Sequence, residues 1–144
     1  MRNRHSTLRT PVDIAAANAV FDRVLAPWVK ELGLVVVEVS SEQTTLRLPE
    51  SKQLMHGGGV VCGQALMAAA DTAMVVAFSA ALGGFRPMTT VNMNTTFLRP
   101  VTGGDMKVIA RVVRSGKTLL YGDVDIVGAD GKVAAHATTT YALV

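Results

Sequence analysis

The chain has 144 residues, 49% of them hydrophobic and 17% charged, a one-domain globular composition that excludes an intrinsically disordered chain. The net charge is +3, a mild excess carried partly by Arg2, Arg4 and Arg9 within residues 1–12, which are expected to fray; aromatics are only 5% and form no basic-aromatic stripe, so nucleic acid is not an expected partner. The single cysteine, Cys62, forbids an internal disulfide, and the N-terminus lacks the apolar run of a secretory signal, so a reducing, cytoplasmic setting is expected.

Asp13 can cap a first helix in VDIAAANAVFDRVLAPWVKELG, where Ile14, Ala17, Phe21, Val24, Leu25 and Trp28 recur near helical spacing. Pro27 is expected to kink or interrupt it and Gly33 to stop it. LVVVEVS and QTTLRLPE are β-branched and read as two strands around a short polar turn. SKQLMHGGG reads as a loop. A long apolar helix follows and stops at Gly83-Gly84. Four strand signals close the chain. In MTTVNMNTTFLRP, alternation puts Val91, Met93 and Phe97 on one face and Thr90, Asn92 and Asn94 on the other. DMKVIARVVR and TLLYGDVDIVG flank the turn Ser115-Gly116-Lys117, and KVAAHATTTYALV follows Asp130-Gly131. The order predicts a single α+β domain over 1–144, an antiparallel sheet wrapped around one long central helix.

That helix approaches membrane-spanning length. It carries Asp71, Thr72 and Ser79, and a charge at the centre of a bilayer is expensive, so no membrane span is expected. Asp71 is the residue to explain, because ionised carboxylates are rarely fully buried unless paired. Among Met67, Ala68, Met74 and Val75 its pKa is expected to rise by desolvation, which suits a general base. The competing reading is a structural carboxylate held by helix caps or by Thr72.

Several motif fragments lead nowhere. His56 to Gly59 reads HGGG, as in the oxyanion loop of lipases, but the chain has no G-x-S-x-G elbow. Gly58 to Gly63 has the glycine spacing of a phosphate loop, but Gln64 stands where the lysine belongs. His5, His56 and His136 are scattered, without zinc-site spacing. Cys62 with His56 could form a nucleophile and base, against the simpler reading of a small buried hydrophobe.

Gly63 is different. At the expected start of the long helix its N–H is a free donor aligned with the helix dipole, able to polarise a carbonyl and stabilise an oxyanion. Asp71 lies eight residues on, roughly 12 Å along the helix. A carbonyl held at Gly63 therefore cannot meet Asp71 of the same helix. If both act on one substrate, Asp71 comes from a second copy of the chain, as a two-fold dimer supplies.

These residues resemble the hotdog-fold acyl-CoA thioesterases of the phenylacetate-degradation branch, which carry Asn, five residues, His-Gly-Gly, six residues, Asp. Here the frame reads His56, GGGVV, Cys62-Gly63-Gln64, ALMAAA, Asp71. His56 replaces the family Asn, Cys62 its His and Gln64 its second Gly. RPMTTVNMNTTFLRP, SGKTLLYGDVDI and AHATTTYALV are similar to the family's later strands, so the likeness runs from about residue 30 onward. The resemblance implies an acyl-CoA substrate and no cofactor beyond the coenzyme A that the substrate brings. Asp71 is then general base or nucleophile, the Gly63 N–H polarises the thioester, and Thr90 helps place the water. His56 orients water or carbonyl, Cys62 and Gln64 lie beside the substrate, and the assembly is a homodimer or dimer of dimers. Arg114 and Lys117 flank the turn where related proteins meet the nucleotide end of coenzyme A; a plain solvated turn is the alternative. Met67, Met74 and Met93 suit an apolar or aromatic acyl group, or simply fill core. A non-catalytic acyl-CoA-binding module and a hotdog dehydratase remain open.

Overall fold

The structure, a computed structural model, describes residues 12–144. The expected fraying of residues 1–12 thus concerns residues outside that range, apart from Val12, which packs against the core. Helix α1 (Ile14–Val24) starts where Asp13 accepts the Ala16 N–H at 2.7 Å, satisfying one of the free donors of the first turn. Pro27 cannot continue it; the chain restarts as a short α2 (Pro27–Lys30) with proline in its first turn. Gly33, at φ 74°, turns the chain into the strands β1 (Val35–Val39) and β2 (Gln43–Leu48). Then come the long helix α3 (Gly63–Leu82) and strands β3 (Met88–Phe97), β4 (Met106–Ser115), β5 (Leu119–Val127) and β6 (Val133–Leu143). Gly83 ends α3 in the left-handed conformation at φ 80°.

The six strands form one antiparallel sheet in the order β1-β2-β4-β5-β6-β3. α3 packs across its inner face, meeting β2 through β6. Ala69, Ala70, Ala73 and Ala77 are buried there against Leu46, Val108, Ala110, Leu120 and Val124. Alanines let the helix axis approach the sheet, and Gly122 lets it come closer still: a Cβ on Gly122 would collide with Met74 and with the Arg111 carbonyl. Met74 is therefore a fully buried core residue rather than part of an acyl-binding surface. α3 is long and apolar enough to cross a membrane, but 67% of that apolar window is buried inside this fold.

Strand β3 departs from simple alternation. Its pairing with β6 shifts between Thr90 and Asn92, so Val91 is the extra residue of a β-bulge. Directly opposed residues share a face. Thr90 lies opposite Tyr141 and Met93 opposite Thr139, both buried positions of β6. The bulge thus turns Thr90 to the same inner face as Met93 and leaves Val91 exposed, where strict alternation grouped Val91 with Met93 and set Thr90 against them.

The outer face of the sheet carries an ionic cluster. Asp125 takes His136 Nδ1 at 2.7 Å and Arg111 at 3.0 Å, and Arg111 also reaches Asp123 at 3.6 Å. Burial alone would raise the Asp125 carboxyl; the hydrogen bonds and charges of His136 and Arg111 outweigh it and hold the group below its ordinary value of 3.8. A carboxyl depressed in the folded state contributes stability above the unfolded value and loses it as pH falls through the folded one. The melting temperature of the wild type is therefore expected to drop more steeply below about pH 4 than that of Asp125→Asn, as thermal melts across an acid pH series will show.

Candidate active site

Asp71 stands in the middle of α3, half-buried, with its carboxylate divided by two donors. The Thr90 hydroxyl donates to Oδ1 at 2.9 Å. The Tyr141 hydroxyl donates to the same Oδ1 at 2.5 Å and to the Asp71 carbonyl oxygen at 2.9 Å. Oδ2 has no hydrogen-bond partner among the described residues. Tyr141 is 2% exposed, and its ring meets Phe78 edge-on at 5.2 Å. Burial, then the charge and hydrogen bond of Asp71, push the Tyr141 hydroxyl far above its usual value, so it is a permanent donor. Neither helix caps nor Thr72 hold Asp71: the Thr72 hydroxyl donates instead to the Ala68 carbonyl at 2.8 Å.

Asp71, Thr90 and Tyr141 line a cavity of about 530 Å³. Its walls are apolar: Leu25, Trp28 and Val29 around α2, Met67 and Val75 on α3, and Met88 and Met93 on β3. Gln64 lies at its rim.

Gly63 is the first residue of α3, and neither its N–H nor that of Gln64 has a partner among the described residues. The ring of Phe97 covers it closely enough that a Cβ would lie 3.1 Å from Cζ. Gly63 lines a different cavity, of about 350 Å³, with Val60, Leu66, Phe97 and Arg99. Within one chain, then, the amide donor and the carboxylate open into separate spaces.

The other residues singled out in the sequence are dispersed. Cys62 is the half-buried N-cap of α3 and makes no side-chain cap bond. His56 is exposed in the preceding turn; its Nδ1 accepts the Gly58 N–H at 2.9 Å, and the ring lines neither cavity. Arg114 and Lys117 sit at the opposite end of α3 from Gly63, where with Arg86, Ala81 and Leu82 they line a depression of about 660 Å³. Among the described residues none of these three cations is in an ion pair. No group of three or more His, Cys, Asp or Glu among the described residues could hold a metal ion. Sequence reading missed Tyr141, Trp28 and Arg86. Tyr141 had one available signal: it continues the inward phase of Ala135, Ala137 and Thr139, and a buried tyrosine hydroxyl needs a partner.

The family model of the thioesterase superfamily matches residues 58–135. A candidate esterase of Thermoplasma acidophilum is 29% identical over 122 residues, covering 79% of this chain and 86% of its own. A conserved protein of Pseudomonas aeruginosa is 27% identical and superposes with a TM-score of 0.78, covering 85% of this chain and 98% of that one. A thioesterase of Haemophilus influenzae, at 20% identity, gives a TM-score of 0.83 over 94% and 93% of the two chains. The PaaI protein of the E. coli phenylacetic acid degradation operon, at 21% identity, gives 0.80 over 90% and 91%. With a family match over more than half its length, on a six-stranded antiparallel sheet closed around one long helix, the chain belongs to the thioesterase superfamily: it is a hotdog-fold hydrolase of thioesters.

Proposed function

We propose that the protein hydrolyses acyl-CoA thioesters with a small or medium, apolar or aromatic acyl group, in a homodimer whose sites each combine Gly63 of one copy with Asp71 of the other. One observation carries this reading: the Gly63 N–H, unpartnered among the described residues, and the carboxylate of Asp71 open into separate cavities of the same chain, so each chain holds two complementary half-sites. A second copy has a place to join. β3 is an edge strand of ten residues, exposed along most of its length, and such an edge is a template for pairing.

The chemistry follows. The thioester carbonyl oxygen accepts the Gly63 N–H at the positive end of α3. Water attacks the carbonyl carbon while Asp71 of the second copy takes its proton. The tetrahedral oxyanion rests on the amide. Its collapse breaks the C–S bond, and the proton held by the carboxyl passes to the sulfur, releasing acid and free coenzyme A. The cavity beside Asp71, walled by Trp28, Met67, Met88 and Met93, suits an apolar or aromatic acyl group. Thiol release across an acyl-CoA panel tests the reading. Turnover on aromatic and medium-chain esters is the expected result; binding without release on every ester would instead make the protein an acyl-CoA-binding module, and enoyl product would make it a dehydratase.

The basic turn supplies a second arm. Leu82 is about 16 Å along α3 from Asp71, a distance an extended pantetheine arm covers, and Arg86, Arg114 and Lys117 gather there with no carboxylate among the described residues paired to them. Arg114→Ser with Lys117→Ser is expected to raise KM for acyl-CoA about 3–10-fold. The same pair of changes should leave KM unaltered for an N-acetylcysteamine thioester, which has no phosphates. Equal effects on both substrates would return these residues to a solvated turn.

A further inference from the structure

We propose that Tyr141 is the positioning residue of the general base: it clamps one oxygen of the Asp71 carboxylate so that the other faces the substrate. The proposal rests on the reading of Asp71 as the base.

Three observations support it. Both side-chain donors to Asp71 among the described residues, Thr90 and Tyr141, converge on Oδ1, and Oδ2 has no partner among them. The Tyr141 hydroxyl also touches the carbonyl of the same residue, so a single phenol binds the backbone and the side chain of Asp71 together. That carbonyl has its own helical partner four residues on, so the helix does not need the phenol. Tyr141 itself cannot swing away: it is 2% exposed, anchored in β6 and packed edge-on against Phe78. Hydrogen bonds donated to a carboxylate favour its charged form. Thr90 reaches Oδ1 only because of the bulge at Val91, so β3 and β6 act on the same oxygen from adjacent strands.

Phenylalanine at 141 keeps the ring and removes only the donor. Tyr141→Phe is expected to lower kcat about 10-fold with KM changed less than twofold. The acid limb of the kcat/KM profile should move to higher pH. Should this variant melt too early to assay, 3-fluorotyrosine incorporation tests the same contact without altering shape. The chain has two tyrosines, Tyr121 and Tyr141, so a Tyr121→Phe background isolates the second. The more acidic phenol donates more strongly, and the acid limb should move to lower pH, opposite to the phenylalanine variant. An acid limb that stays in place in both reduces Tyr141 to a packing residue. A wild-type kcat in Asp71→Asn removes the base itself and the proposal with it; loss of kcat in Asp71→Asn beside an unmoved limb in the Tyr141 variants overturns the positioning role alone.

Discussion

Asp71→Asn is expected to lower kcat by roughly 10²–10⁴ while KM and the melting temperature change little. The substitution is nearly isosteric, and an asparagine Oδ1 still accepts from Thr90 and Tyr141, so both contacts that seat the side chain survive. What is lost is the oxygen at the Oδ2 position and its capacity to take a proton. The alternative role, a carboxylate retained only to satisfy the Tyr141 and Thr90 hydroxyls, predicts an unaltered kcat, because the asparagine Oδ1 satisfies both. Thiol release therefore separates the two, and a thermal melt on the same preparation shows that the fold is intact. Asp71→Ala is a poorer probe, because it leaves the 2%-exposed Tyr141 hydroxyl without its side-chain acceptor and mixes a stability cost into the rate.

Local chemistry made most of the fold legible. Asp13 caps, Pro27 interrupts, Gly33 and Gly83 stop, and the turns at Gly116 and Gly131 fall between strands: aspartate accepts a first-turn N–H, proline cannot continue a helix, and glycine turns where other residues are strained. A near-continuous apolar run marked α3, and the lone Asp71 within it marked the candidate site. What stayed hidden depends on pairing across the sheet. Nothing in MTTVNMNTT announces a bulge, since Val91 is an ordinary strand residue; only the register against β6 shows that Thr90 shares a face with Met93. Tyr141 is 70 residues from Asp71, and no local pattern links them. Met74 and Met67 look alike in the sequence, and about two turns of helix separate them. The first fills the space over Gly122, and the second lines the cavity. His56 fits a motif frame by spacing, but the three glycines after it fold the chain into a turn in which its ring bonds to Gly58.

Mixing two inactive variants is expected to restore activity. Gly63→Pro removes the one N–H assigned to the carbonyl. Proline is favoured in the first turn of a helix, and Cys62 before it already has the extended conformation, φ −69° and ψ 148°, that a following proline requires. The Phe97 ring must yield by a few tenths of an ångström, so Gly63→Ala, which makes the same contact but keeps the N–H, is the control. Gly63→Pro should lose about 10²–10³ in kcat and Gly63→Ala far less. When Gly63→Pro and Asp71→Asn chains are refolded together in equal amounts, about half of the dimers carry one of each. In each such dimer one site joins the intact amide of the Asp71→Asn chain to the intact carboxylate of the Gly63→Pro chain, and the other site has neither. About a quarter of wild-type activity should therefore return. A site built within a single chain predicts none, because every chain in the mixture lacks one of its two groups. The result also bears on the cavities: recovery requires that the space beneath Phe97 in one copy and the space beside Trp28 in the other open onto the same thioester.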